Sequence, residues 1–300
     1  MDRTQYKCCR RGANLRRKRR RHRKIRSSVI FSCSIIAVAV FVIVGSRIIT
    51  SGDGGTNKYD VEAGNNTYDN ADIENTKIFE KNKIQNNQSM LDDIMNSTQY
   101  PKQLQELALK NEEALEFVYD YPTEHVKEHI VDLTEEASMD SVPLFVQWDK
   151  RWGYEKYSGN FFAASGCGPT TLSMVVVYLT HNRDASPLAV AKYSKEAGYS
   201  VDGSGSSWTL ISEGCRHYGV KAKTVSLDES RMKAELDAGH PIVVNVGPGD
   251  FTDTGHFMVI TGYDDEGFSI NDPNSIEKSG KRWLFKNISS QIRAVWSMYV

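Results

Sequence analysis

The stretch "CGPTTLSMVVVYLT", residues 167–180, decides how the rest of the chain is interpreted. Its apolar residues predict a buried helix, and Pro169 fits the first turn, where a missing N–H costs nothing. Cys167 stands at the start of that helix, and the flanking Gly166 and Gly168 would allow close approach of a substrate backbone. A free cysteine is often only a small buried hydrophobic residue. At a helix N-terminus, however, the helix dipole and free N–H groups favour a thiolate, so Cys167 is also a candidate nucleophile.

Helical stretches follow this one before the pattern changes to that of strands. Two of them, "SPLAVAKYSKEAG" (186–198) and "WTLISEGCRHYG" (208–219), end on a glycine and predict helices. Four later stretches, rich in β-branched and aromatic residues, predict strands: "PIVVNV" (241–246), "HFMVITGYD" (256–264), "GFSIND" (267–272) and "AVWSMYV" (294–300). This order predicts an α+β fold, in which the Cys167 helix packs on an antiparallel sheet.

A thiol nucleophile needs a base and a group that orients the base. The candidate bases are His125, His129, His181, His217, His240 and His256. His256 opens a predicted strand directly after a glycine, and Asp272 ends the next predicted strand, so a hairpin would bring the two side by side. Either residue alone could be structural, Asp272 as a turn residue before Pro273. The order Cys, His, Asp favours catalysis.

These residues carry a family resemblance. The stretches "VPLFVQWDKRWGYEKYSG", "GCGPTTLSMV" and "GHFMVITGYDDEGFSINDPN" resemble papain-fold cysteine peptidases of family thirty-nine, typified by the bacteriocin-leader-processing domains of export transporters. Over about residues 98–300 the chain is more similar to the stand-alone, extracytoplasmic branch of Gram-positive bacteria. The resemblance implies Cys167 as nucleophile, His256 as general base and acid, and Asp272 as the orienting group. It implies Gln147 as a donor in the oxyanion hole.

The chain departs from the transporter domains around Gln147. Their glutamine lies a few residues before the cysteine, whereas Gln147 precedes Cys167 by twenty residues. Phe161 is closer to the expected spacing but cannot donate a hydrogen bond. Gln147 could therefore be a surface residue beside Trp148. We carry over neither coupling to export nor the Gly-Gly leader specificity of the transporter branch.

Charge and hydropathy set the N-terminal region apart. Residues 1–26 hold 13 of the 37 Lys and Arg residues and one of the 38 Asp and Glu residues. Residues 27–300 therefore hold 24 basic and 37 acidic residues, a net charge of −13. The uncharged stretch "SSVIFSCSIIAVAVFVIVGS" is long enough to cross about 30 Å of hydrocarbon as a helix. We therefore predict a transmembrane helix at residues 27–49, with a basic cytoplasmic tail at 1–26 and the rest outside the cell. A cleaved signal peptide and a nucleic-acid-binding "RRKRRRHRK" tail are the alternatives.

Composition divides the outer region into three parts. Residues 50–97 are polar and predict a flexible stalk without a catalytic group. Apolar residues at helical spacing predict one or two short helices at 101–119 that pack on the following domain: Leu104, Leu107, Ala108, Leu115 and Val118. We place this helical segment and a connector at residues 98–140, and a papain-like peptidase domain at 141–300.

Taken together, these features predict a membrane-anchored cysteine peptidase that acts outside the cell on peptide or protein substrates. We expect no cofactor and no metal, since the histidines are scattered and no paired-cysteine spacing occurs. We expect no nucleic-acid partner, because a basic tail beside a predicted membrane span is better explained by topology. The alternatives are a catalytically idle domain that binds peptide or cell-wall fragments, and a cell-wall amidase or endopeptidase. Enzymes of the latter kind carry an Asp-Cys-Ser-Gly box, which "GCGPTT" does not match. We expect Cys215 to be a free buried thiol, because a disulfide with Cys167 would consume the nucleophile.

Overall fold

The computed structural model describes residues 70–300. The predicted basic tail (1–26), the predicted transmembrane helix (27–49) and the first part of the predicted stalk lie outside the described residues. Within residues 70–300, no helix has the length and hydropathy that crossing a bilayer requires.

The described elements run from helices to a sheet. The α-helices are α1 (Asn70–Asn96), α2 (Lys102–Lys110), α3 (Leu115–Tyr119), α4 (Tyr121–Glu124), α5 (Phe162–Ser165), α6 (Cys167–Thr180), α7 (Pro187–Glu196), α8 (Thr209–Ser212), α9 (Glu229–Asp237), α10 (Ile276–Ser279) and α11 (Phe285–Ile288). The strands are β1 (Lys156–Tyr157), β2 (Asn160–Phe161), β3 (Ser200–Val201), β4 (Gly205–Ser206), β5 (Lys221–Thr224), β6 (Ile242–Val246), β7 (His256–Asp264), β8 (Gly267–Asn271), β9 (Arg282–Trp283) and β10 (Ile292–Tyr299). Single turns of 3-10 helix lie at Glu112–Ala114, Glu136–Ser138, Gly214–Tyr218 and Ser289–Gln291.

A six-stranded sheet in the order β5-β10-β6-β7-β8-β9 forms the centre of the domain. All its neighbouring strands are antiparallel. Successive side chains of a strand point to opposite faces, so Val243 packs with α6 on one face and Val244 packs with α9 on the other. Thr171 of α6 is fully buried and donates to the Phe257 carbonyl oxygen at 3.1 Å. These contacts confirm the predicted α+β class, with the Cys167 helix packed on an antiparallel sheet.

One predicted helix, at residues 208–219, is broken in two. The chain forms the short helix α8, leaves helical geometry at Glu213 (φ −127°) and continues as a 3-10 turn. Gly214 packs so tightly on Tyr199 that a Cβ atom there would lie 3.0 Å from the Tyr199 ring. The helix is interrupted because tertiary packing at this glycine overrides the helical sequence pattern.

Helices α1 to α3 form a separate small core with the first residues of the C-terminal domain. Its buried residues include the predicted apolar positions of 101–119, together with Phe161 and Ala163 from the domain. The helices therefore pack on the domain that follows, as expected.

The prediction of a flexible stalk at residues 50–97 is wrong for its described part, because residues 70–96 are the helix α1. Ile94 is completely buried, and Gln105 Nε2 donates to its carbonyl oxygen at 2.9 Å. Met90, Leu91 and Ile94 recur at helical spacing and face α2 and α3. This apolar stripe is confined to the last turns of α1, so the polar composition of the whole segment obscures it.

Candidate active site

Cys167 is the first residue of α6 and is half-buried. The glycines beside it are required by packing within the chain. A Cβ atom on Gly166 would lie 2.5 Å from the Phe162 ring, and one on Gly168 would lie 2.5 Å from Ser206 Oγ. Two side chains thus occupy the space that a larger residue would need at these positions, and the expectation that the glycines admit a substrate backbone stays a prediction.

His256 and Asp272 meet through the β7–β8 hairpin. His256 is the first residue of β7, and Asp272 follows the last residue of β8. His256 Nε2 lies 2.6 Å from Asp272 Oδ1, with the two side chains 7% and 1% exposed. The hairpin thus brings the two residues together as the sequence spacing predicts. With Nε2 facing the carboxylate, Nδ1 is the ring nitrogen left to face Cys167.

The electrostatics of the site favour an ion pair between Cys167 and His256. Burial alone would lower the pKa of His256, but the Asp272 carboxylate, with a smaller contribution from Cys167, raises it to about 10. Burial alone would raise the pKa of Cys167, but the imidazolium of His256 and the N–H groups of Phe257 and Gly168 lower it. A thiolate beside an imidazolium is the reactive state of a cysteine nucleophile.

The Asp272 carboxylate is held by few contacts. Its Oδ1 atom accepts from Asn274 N at 2.8 Å in addition to facing His256. Its Oδ2 atom is buried and has no hydrogen-bond partner among the described residues. The orientation of the carboxylate therefore depends on the two groups that share Oδ1.

Gln147 lies in the same site, despite its distance from Cys167 along the chain. It is 5% exposed, which excludes the alternative of a surface residue. Its Nε2 atom donates to the Ala163 carbonyl oxygen at 2.7 Å. An amide nitrogen carries two hydrogens, so a second donor remains. Phe161, the residue closer to the expected spacing, is buried against α2 and α3.

Two open cavities meet at Cys167. The first, of about 440 Å³, contains Gln147, His256, the loop 249–255 and residues of α2. The second, of about 790 Å³, is bounded by residues 203–206, Trp208, residues 245–248 and Arg293. The residues that line both are Gln103, Asn160, Ala164, Cys167, Thr254 and Gly255. Cys167 thus lies where the two cavities meet, and together they form an open cleft beside the thiol.

The other candidate histidines have partners elsewhere in the fold. His125 and His129 contact the carbonyl oxygens of Tyr121 and Glu124, His181 contacts that of Ala137, His217 stacks on Tyr193, and His240 faces Glu235. No group of three or more potential metal ligands occurs in residues 70–300. Cys215 is a fully buried free thiol, and burial raises its pKa to about 11.

Sequence reasoning missed the contribution of the N-terminal helices to this cleft. Gln103, Lys110 and Asn111 of this region line the first cavity, as does Asn274 after β8. The apolar spacing at 101–119 predicts which side of α2 is buried. It carries no signal for what the polar side faces.

A family model and solved structures match this chain over about half of its length. Residues 139–300, more than half of the chain, match the Peptidase_C39 like family. One similar solved structure is the peptidase domain of Streptococcus ComA, described as a bi-functional ABC transporter involved in a quorum sensing pathway. The two sequences are 19% identical, the match covers 53% of this chain and 96% of that chain, and the TM-score is 0.39. Another is a putative C39-like peptidase from Bacillus anthracis, which is 17% identical in sequence. This match covers 53% of this chain and 95% of that chain, with a TM-score of 0.33. The comparison with curated proteins gave no match. The chain belongs to the Peptidase_C39-like family.

Proposed function

We propose that this chain is a cysteine peptidase that hydrolyses peptide bonds by acyl transfer through Cys167, His256 and Asp272. The family supports a peptidase-type function and a peptide or protein substrate. The observation that carries the residue assignment is the buried contact of 2.6 Å between His256 Nε2 and Asp272 Oδ1, beside a thiol whose pKa is lowered.

In the first half-reaction the Cys167 thiolate attacks the carbonyl carbon of the scissile bond. The carbonyl oxygen becomes an oxyanion, which we assign to the free N–H groups of the first turn of α6 and the second amide hydrogen of Gln147. The imidazolium of His256 then gives its proton to the leaving amine, the C–N bond breaks, and a thioester remains.

In the second half-reaction water hydrolyses the thioester. Neutral His256 takes a proton from the water as its oxygen attacks the thioester carbon. The C–S bond breaks, the carboxyl product leaves, and the thiolate and imidazolium return together. Asp272 keeps the ring oriented and stabilises its charge through both steps, without itself carrying the proton.

The experiment that tests this proposal maps cuts in a diverse peptide library by mass spectrometry, with the full-length chain and its Cys167→Ala variant. Cuts that depend on Cys167 would support the proposal. Binding of peptides without turnover would contradict it and favour an idle domain. Release of fragments from purified cell wall, with no cuts in peptides, would contradict it in favour of an amidase or wall endopeptidase.

We also propose that residues 27–49 anchor the chain in the cell membrane with its C-terminal domain outside the cell. The support is the run of basic residues before an uncharged stretch of twenty residues. Protease added to intact cells should then remove residues 70–300, whereas a cytoplasmic marker protein survives. Full protection of this region until the membrane is opened with detergent would contradict the proposed topology.

A further inference from the structure

The helices before the family-matched region reach the turn that carries Asp272. The match begins at residue 139, whereas Asn111 lies just after α2. Asn111 Nδ2 lies 2.9 Å from the carbonyl oxygen of Asn274 and 3.1 Å from its Oδ1 atom. The backbone N–H of Asn274 donates in turn to Asp272 Oδ1. Asn111 is therefore two hydrogen bonds away from the oxygen that faces His256.

Glu113 makes a second set of contacts with the same turn. Its Oε2 atom accepts from the backbone N–H groups of Ile276 at 2.7 Å and Glu277 at 3.1 Å. Its Oε1 atom accepts from Ser275 Oγ. One carboxylate thus accepts three hydrogen bonds from residues just beyond Asp272, and bonds to a charged acceptor are the strong ones.

The peptidase domain also contacts this turn, through three hydrogen bonds on its two sides. Asp272 N donates to Ser279 Oγ at 2.9 Å, which ties the turn to α10. On the other side, Gln147 N donates to the Pro273 carbonyl oxygen at 2.7 Å, and Trp148 Nε1 donates to that of Asn274 at 3.2 Å. Since Asp272 Oδ2 has no described partner, the direction of Oδ1 depends on where this turn is held.

We propose that Asn111 and Glu113 are positioning residues, which hold the Asp272 turn so that Oδ1 faces His256. This inference rests on the proposed function of Cys167, His256 and Asp272. It makes the helical segment before the family-matched domain a working part of the site. The physical reason is that catalytic geometry tolerates displacements of only about 0.5 Å.

Glu113 gives the cleaner test, because Asn111 lines the first cavity and Glu113 does not. Glu113→Gln keeps the size of the side chain but loses the charge and replaces one acceptor oxygen with a donor. Glu112→Gln is the matched control, since its Oε1 atom accepts from Asn87 Nδ2 at 2.7 Å, on the exposed side. Both variants are made in the full-length chain and checked for an unchanged far-UV spectrum.

The readouts are kcat, KM and the rate of Cys167 alkylation by iodoacetamide at about pH 6. Glu113→Gln should lower kcat about tenfold while KM stays within about twofold. It should also slow alkylation, because a weaker Asp272–His256 contact leaves less thiolate paired with imidazolium. Glu112→Gln should match the unaltered chain. In an Asp272→Asn background, Glu113→Gln should lower kcat by less than a further factor of about two, since it acts through Asp272.

Equal kcat in the Glu113→Gln and Glu112→Gln variants would overturn the inference, as would losses that multiply in the double variant. If Glu113→Gln does not fold, Asn111→Ala takes its place, and a normal kcat there overturns the inference. An unaltered chain that neither cuts peptides nor reacts at low pH would refute the proposed function itself. The alkylation measurement needs no substrate, so it separates these two failures.

Discussion

Replacement of Asp272 by asparagine would remove the charge that stabilises the His256 imidazolium and keep an oxygen that can accept from Nε2. The two side chains are almost fully buried and their contact measures 2.6 Å, so water screens the interaction little. Asp272→Ala would remove both the charge and the acceptor. A comparison of the two variants therefore separates the contribution of charge from that of orientation.

The expected shift in the pKa of His256 follows from this geometry. The charges are spread over the ring and the carboxylate, so a separation of about 4 Å and an effective dielectric constant of about 20 apply, which gives about 4 kcal/mol. That energy equals about three pKa units. The pKa of His256 is about 10 in the folded chain. In Asp272→Asn it should fall to near 7.

The sign of the effect on activity is fixed by which form is active. The thiolate–imidazolium pair exists above the pKa of Cys167 and below that of His256, so the loss of Asp272 moves the alkaline limit down and narrows the bell-shaped profile. We expect Asp272→Asn to keep measurable hydrolysis near pH 6 and to lose it above about pH 8. Asp272→Ala should be weaker than Asp272→Asn at every pH, because the ring is no longer oriented.

The assay is the pH dependence of kcat/KM on a peptide that the unaltered chain cuts, with the pH dependence of Cys167 alkylation measured alongside. An alkaline limit in Asp272→Asn that matches the unaltered chain would refute the reasoning, because the raised pKa of His256 would then have another source. Equal profiles for the two Asp272 variants would refute the separate role of orientation.

Three other perturbations have outcomes that differ in kind. Cys167→Ala should abolish hydrolysis with folding intact, whereas Cys215→Ala should keep activity; the reverse pattern in a peptide assay would exchange their roles. Removal of residues 1–97 should lower the thermal midpoint more than removal of residues 1–69 does, because it also deletes the buried end of α1. Burial of each large apolar side chain there contributes about 2 kcal/mol to stability. Equal midpoints for the two truncated chains would count against that packing. Glu235 has its pKa lowered to about 2, chiefly by its hydrogen bond with Lys223. Its contribution to stability is fully present above about pH 4.5 and is lost as the pH falls through about 2, so Glu235→Gln should lower the thermal midpoint strongly at pH 7 and much less at pH 2.5.

The elements that the sequence predicts best are those with one strong local signal. Helix α6 and strand β7 have the bounds expected from residues 167–180 and 256–264. Each combines a start signal with an uninterrupted apolar run, so tertiary packing reinforces the local preference. Strand β5 and helix α9 are absent from the expectations, although Asp228 accepts from Arg231 N as an N-cap that could have indicated α9.

The placement of Gln147 could not be predicted from spacing. The β1–β2 hairpin turns at Ser158 and Gly159, both with positive φ, and folds the intervening chain back on itself. Twenty residues of sequence therefore separate two groups that line one cavity. Asn111 and Glu113 were still less accessible, because their partners lie more than 160 residues away and polar contacts leave no periodic pattern.

The contact between Gly168 and Ser206 couples the nucleophile to one wall of the cleft. Ser206 belongs to β4, lines the larger cavity and shares a hydrogen bond of 2.6 Å with the Tyr157 hydroxyl, which in turn meets Ser194 of α7 at 2.8 Å. Helix α6, through Gly168, and helix α7, through Ser194, thus hold this wall, and Ser206 has no space to move toward Gly168. A bulky residue of a bound peptide could not displace Ser206 without disturbing its hydrogen bond with Tyr157 and its contact with Gly168, next to the thiol. The width of the cleft at this point should therefore be fixed, so that peptides with side chains too large for it are excluded.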